Sequence, residues 1–198
     1  MVSIIILAAG ANTRFGSPKA LVMLNHKTAV EYLLHHLVPT SVAEIIVVLG
    51  AFAEDIQPYV LNHKKVKVVY NKDFNFGQTS SVQTGLRTVT SEASGALILP
   101  VDCPLITSAT VEKIIAHFKM HQPFILVPTY QHKRGHPPCF HQKMFAPLLS
   151  LNPSHRLDAF IHEQQEGVQL LEVNDPTVLY SFNTPAELEK IKKFLKFD

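Results

Sequence analysis

The amino-acid sequence predicts an α/β fold: a doubly wound, mostly parallel sheet with helices on both faces. Three observations predict it. Short apolar runs rich in β-branched residues alternate with amphipathic stretches of helical period. The runs are apolar at nearly every position rather than every second one, as in strands buried on both faces. No linker, repeat or low-complexity segment interrupts the alternation, so residues 1–198 read as a single domain.

Residues 2–7 form the first such run. A polar, glycine-containing loop follows over 9–20, and Thr28 then opens a helix, with Glu31 completing a capping box. Val30, Leu33, Leu34 and Leu37 recur at helical spacing, and Pro39 follows the end. Residues 44–49 and 66–70 are the next two strands, with a short helical stretch over 54–61 between them that Pro58 weakens. Ser80 and Gln83 have the spacing of another capping box, opening a helix through Leu86 and Val89. Residues 96–101 form a strand that stops at Asp102, and Thr107 or Ser108 caps a helix carrying Val111, Ile114, Ile115 and Phe118 on one face. A fifth strand is expected over 124–127, then a loop over 129–138. Beyond it we expect a short strand at 138–141, helices at 143–149 and 155–164, and a strand at 168–173. The last helix is the best marked: Thr184 at the N-cap, Pro185 at the first position and Glu187 at the third. Its lysines gather at the C-terminal end, where they complement the helix dipole.

Composition narrows the function classes. Hydrophobic residues are 46% and charged residues 17%, which excludes a disordered, collagenous or coiled-coil chain. The formal net charge of +2 is too small and too dispersed to imply nucleic acid. Cys103 and Cys139 have no CxxC spacing, which argues against a disulfide framework or a cysteine zinc site and for a reducing, cytoplasmic setting. The apolar runs fall short of the roughly 18 residues that span a bilayer, so no membrane partner is expected. The apolar start lacks the basic flank of a signal peptide.

In doubly wound sheets ligands bind beyond the carboxyl ends of the strands, and the informative residues lie there. Leu7, Ala8, Ala9 and Gly10 give a backbone that a ligand can approach closely, and Arg14 and Lys19 add two cations to the same loop. The spacing fits neither GxGxxG nor the Walker A pattern. By composition alone, a surface loop with two solvated cations remains an equal reading. Asp102, at the end of a buried strand, is costly to bury unless a cation pairs with it; capping the region that follows is the alternative. Eleven histidines include His117 and His121 at i,i+4, but no HExxH or Cys/His spacing supports zinc. Cys103 reads as a small core residue, and no GxSxG is present.

The order of motifs resembles the MobA-like nucleotidyltransferase superfamily, in particular its molybdenum cofactor cytidylyltransferases. The loop at 7–19 resembles LAAG-x-x-x-R-x-G-x-x-K. NKDFNFGQTSSVQTGL (71–86), PVDCPLI (100–106), Gly135-His136-Pro137 and the tail LEVNDPTVLYSFNTPAEL match further family segments in order, covering nearly the whole chain. The resemblance implies a Rossmann-like nucleotidyltransferase fold. It also implies transfer of a nucleoside monophosphate from an NTP to a phosphorylated acceptor, with pyrophosphate released. In such a reaction the acceptor phosphate is already an anion and attacks the α-phosphorus in line. Cations, backbone N–H groups and positioning must offset the anion–anion repulsion.

On this resemblance Arg14 and Lys19 hold the triphosphate, Asp102 holds Mg²⁺, and Gly77, Thr79, Ser80 and Ser81 contact base or ribose. Asn183 stands where many relatives have Asp. Its carbonyl oxygen is still a hard ligand for Mg²⁺, so a weakened metal site is expected. Ser181 replaces an acidic residue of the tail pattern. Relatives using GTP carry LAGG; the methyl of Ala9 implies CTP. The acceptor expected from the resemblance is molybdopterin, met by Gly135, His136 and Arg156, although the family's Gly-Asp-x-Gly-Ala-Arg stretch is absent here. The alternatives are a sugar or alditol phosphate as acceptor, or a relative that binds a nucleotide or cofactor without turnover.

Overall fold

A computed structural model describes residues 1–11 and 15–195. The elements run β1 (Val2–Ala8), a hairpin of β2 (Met23–Leu24) and β3 (Lys27–Thr28), α1 (Ala29–Leu37), β4 (Glu44–Leu49), α2 (Ala53–Ile56) and β5 (Val66–Tyr70). They continue with α3 (Gln78–Leu86), β6 (Gly95–Pro100), α4 (Ser108–His121), β7 (Ile125–Tyr130), β8 (Lys133–Arg134) and β9 (Cys139–His141). The chain ends with α5 (Phe145–Ser150), α6 (Leu157–Glu163), β10 (Val168–Glu172) and α7 (Pro185–Phe194). The main sheet has eight strands in the order β10-β7-β9-β6-β1-β4-β5, with β8 pairing β7. Every pairing is parallel except those of β9 and β8, which run antiparallel to their neighbours.

Burial explains the apolar runs. Ile4, Ile6 and Ala8 of β1 pack with α1 and α4 on one face, against Leu33, Leu34, Ile114 and Phe118. Ile5 and Leu7 pack with α3, α5 and α6 on the other, against Val82, Leu148 and Phe160. Gly85 lets α3 lie close on β1: a Cβ there would meet Ile5 Cγ2 at 2.4 Å. The expected capping boxes at Thr28–Glu31 and Thr184–Glu187 are both formed. Glu44 is buried at the start of β4 and accepts from Ser3 Oγ at 2.8 Å, the Thr90 N–H at 2.8 Å and Lys67 Nζ at 2.6 Å. Burial alone would raise its pKa; the hydrogen bonds from Lys67, Thr90 and Ser3 prevail and hold the carboxyl below its ordinary value.

Four sequence expectations differ from the structure. Ser80 and Gln83 form no capping box. Gly77, at φ 118°, is the N-cap of α3, and Gln83 is buried, its amide donating to the carbonyls of Leu148, Leu149 and Leu151. Tertiary demand for a donor at the end of α5 outweighs the local cap. The helix ends at Leu86, before Val89. The helical stretch at 54–61 divides into α2 and one 3₁₀ turn around Pro58. The loop at 129–138 is partly strand, because β7 runs on to Tyr130 and turns into β8.

Candidate active site

The site lies beyond the carboxyl ends of β1 and β6, where two clefts share a wall. The smaller, of about 330 Å³, is lined by residues 7–11 and by Lys19, Phe74, Gly77, Gln78, Ser81 and Asp102, among others. The larger, of about 740 Å³, includes Cys103, His136, Ser154, Arg156, Ser181 and Asn183 in its lining. Gly77, Gln78, Pro100 and Asp102 belong to both.

Asp102 owes its place to the register of β6 on β1. Leu7 pairs with Pro100, and the Val101 N–H donates to the Leu7 carbonyl at 3.1 Å, so the strand reaches the rim before turning. The Phe182 N–H donates to the Asp102 carbonyl at 3.1 Å, which brings the neighbouring Asn183 alongside. Phe182 is buried with Leu24, Ala29 and Leu105, which anchors that tether. Lys19 enters from the 3₁₀ turn Lys19–Leu21. Its Nζ donates to Asp102 Oδ2 at 2.7 Å and to Asn183 Oδ1 at 2.7 Å. Three residues separated by 83 and 164 positions thus meet at one ammonium. The Cys103 thiol donates to Asp102 Oδ1 at 3.6 Å; burial, and then the adjacent Asp102 charge, push its pKa well up, so it stays protonated.

Behind the smaller cleft, Asn71 is buried and organises the start of α3. Its Nδ2 donates to Ser80 Oγ at 2.8 Å and Ser81 Oγ at 2.9 Å, and its Oδ1 accepts from the Asp73 N–H at 2.9 Å. Ser81 faces the cleft. Ser80 turns inward, its hydroxyl 2.9 Å from the Asp73 carbonyl and 2.8 Å from that of Gly77. Thr79 is buried and donates to the His155 carbonyl, which joins α3 to the rim of the larger cleft. Ala9 lines the smaller cleft and packs against Gly50, where a Cβ would come within 2.8 Å of its methyl. Arg14 lies outside the described residues.

On the larger cleft, His136 is half-buried and its Nδ1 has no hydrogen-bond partner among the described residues. Burial lowers its pKa, and Asp102 opposes that only in part, so the imidazole is neutral at pH 7. Gly135 sits outside the described lining and packs on Val178, whose carbonyl a Cβ would meet at 2.6 Å. Arg156 is exposed and grips Asp158 twice, Nε to Oδ1 at 2.9 Å and Nη2 to Oδ2 at 2.7 Å. Such an exposed pair is worth little and opens readily to a competing anion. Asn71, Phe74 and Gln78 all fall in the segment at 71–86 that carries the resemblance, but nothing local in the sequence distinguishes a structural Asn from a loop Asn.

The MobA-like NTP transferase domain model matches residues 4–168. The chain belongs to this family. A bifunctional protein GlmU from Acaryochloris marina is 29% identical over 133 residues, covering 66% of this chain and 29% of that protein. The matched segment therefore spans under a third of the length of that curated relative. A homologue of Rv0371c from Mycobacterium sp. strain JC1 superposes with TM-score 0.86 at 25% identity, covering 99% of this chain and 97% of that one. Rv0371c of Mycobacterium tuberculosis H37Rv, solved in complex with manganese, superposes with TM-score 0.81 at 23% identity, covering 97% and 98%. No described helix is long and apolar enough to cross a membrane.

Proposed function

We propose that the protein transfers a nucleoside monophosphate from an NTP, with CTP favoured, to a phosphorylated acceptor, with molybdopterin favoured, in a Mg²⁺-dependent reaction that releases pyrophosphate. One observation carries the reading: Asp102 stands on the wall common to both clefts, with a cation already paired to it. The smaller cleft, with its small residues and the start of α3, suits a nucleotide. The larger has the volume for a bulkier acceptor.

The donor set fits a hard divalent cation. Asp102 and Asn183 offer one carboxylate and one carbonyl oxygen, and both already reach a single cationic atom at 2.7 Å. Bound there, Mg²⁺ would supply positive charge to the phosphates; that a structural neighbour was solved in complex with manganese supports the use of a divalent ion. Lys19 and Arg14 hold the triphosphate, and the N–H groups of residues 9–11 approach its oxygens. Ser81 orients the nucleoside. His136 lines the larger cleft and is neutral, so it meets the acceptor without adding a charge. The phosphate of the acceptor needs no general base near pH 7; the protein's contribution is alignment and charge. A cytoplasmic location is part of this reading, since both cysteines are free and buried.

A pyrophosphate-release screen of four NTPs against phosphorylated acceptors, molybdopterin and alditol phosphates included, tests the proposal. CTP with molybdopterin is expected to give the fastest release. Release with another pair would reassign the substrates, and none with any pair would sink the catalytic reading. Calorimetry is expected to show CTP bound more tightly than GTP.

A further inference from the structure

Lys19 is expected to hold phosphate, yet here its ammonium is paired with two oxygens of the chain itself. Its Nζ lies 2.7 Å from both Asp102 Oδ2 and Asn183 Oδ1, and 6.0 Å from the centroid of the Phe182 ring. We propose that Lys19 is the resident counter-ion of the seat formed by Asp102 and Asn183, and that it competes there with a divalent ion, which binds weakly until a triphosphate has drawn the lysine away. The inference rests on the functional reading above, and it adds a rule about the order of occupancy.

The argument is electrostatic. The Asp102 carboxylate is only 18% exposed, and a partly buried carboxylate without a cation is costly. In the nucleotide-free protein the chain supplies that cation itself. A lysine and a divalent ion cannot share the same two oxygens, because like charges at that range repel strongly. They are therefore competitors for one seat. The lysine also lines the smaller cleft beside Gly10 and Ala11, where a triphosphate would offer it a denser negative charge. Its four-carbon stem allows the ammonium to move without moving the backbone. Nucleotide and metal then bind with positive coupling: each removes what keeps the other out. The seat thereby loads a bare ion poorly, and charge is delivered chiefly when phosphate is present.

The test titrates the nucleotide-free full chain with Mn²⁺ alone, read by electron paramagnetic resonance. Lys19→Met is expected to bind Mn²⁺ at least about tenfold more tightly than wild type, since it removes the competing charge but keeps the stem. Lys19→Arg keeps the charge and is expected to stay within about threefold of wild type. Adding Asp102→Asn to Lys19→Met should abolish the gain. No gain in Lys19→Met, or an equal gain in Lys19→Arg, overturns the proposal. A measurement on wild type does not depend on any variant folding: acetylation of Lys19, followed by mass spectrometry, should speed up severalfold in saturating Mn²⁺, and no change counts against the idea. If the Mn²⁺ result fails while wild type still releases pyrophosphate with NTP and metal, the counter-ion role falls alone. If pyrophosphate release is also absent, the functional reading falls with it.

Discussion

The two clefts are built from different materials. The smaller is lined by the small residues 8–11 at the end of β1, by the end of β6 and by the start of α3, placed by sheet register and by Asn71, with Lys19 and Phe74 beside them. The larger is walled by longer side chains from three later segments, around His136, Arg156 and Asn183, of which Arg156 is held only by an exposed ion pair. On the proposed function, walls fixed by sheet register would serve the ligand part that does not vary, the phosphates. Side-chain walls can change without disturbing the sheet, so they suit the part that differs between relatives. The acceptor side is accordingly where specificity is expected to reside.

Asp102, on the shared wall, should give the largest effect. Asp102→Ala is expected to lower kcat by about 100-fold or more, as loss of a preorganised electrostatic group does. Its thermal unfolding should stay near wild type, since the tether to Phe182 uses the Asp102 main chain. A folded variant with near-normal turnover would erase the distinction between a shared wall and two separate clefts. Next come the residues of the larger cleft alone. His136→Ala is expected to raise the acceptor KM about tenfold and Arg156→Ala a few-fold, with NTP binding unchanged in both. A change in NTP affinity instead would mean that the clefts do not divide the substrates. A smaller effect is expected for Asn183→Asp, which adds a charge at the seat and should lower the Mg²⁺ needed for half-maximal rate by a few-fold. A higher Mg²⁺ requirement would say that Asn183 serves only Lys19.

The smallest effect concerns the scaffold that both clefts share. Glu44 and Asp175 have carboxyls held below their ordinary values despite burial. For Glu44 the donors are Lys67, Thr90 and Ser3; for Asp175 they are Thr110, Thr177 and Thr107. A carboxyl depressed in the folded state stabilises above its unfolded pKa, near 4, and that contribution is lost as pH falls through the folded value. The thermal unfolding temperature should therefore fall steeply below about pH 4, after a shallower decline that begins near pH 6.5 as the unfolded state protonates His117, His136 and His141, whose pKa burial lowers in the fold. Glu44→Gln should be less stable at pH 7 and show a shallower acid decline. An equally steep decline would remove Glu44 as its source.

The parallel strands and both formed capping boxes were legible because each is written in a short window. Residues 44–49 are apolar on both faces after Glu44, and Thr28–Glu31 is a complete local signal. The β2–β3 hairpin escaped notice because its strands have two residues each and its turn, Asn25 and His26 at φ 43° and 66°, lacks the usual glycine. The place of β9, antiparallel between β6 and β7, could not be read from its sequence, since pairing depends on what lies beside it. The site divides in the same way. Asp102 announces itself at a strand end, whereas the meeting of Lys19 with Asn183 spans 164 positions and exists only through the fold.

Gln83 reaches three carbonyls at the end of α5, and Thr79, one turn earlier on α3, holds the carbonyl of His155. The helix that opens the smaller cleft is thereby bolted to the segment that rims the larger one. That bears on how new specificities can be engineered. The stretch from 142 to 163 looks like a cassette that could be exchanged for another relative's to admit a different acceptor. It is not one: without Gln83 and Thr79 to receive it, the incoming segment would leave buried carbonyls without donors. A graft that carries both residues with it is the transplant that should fold.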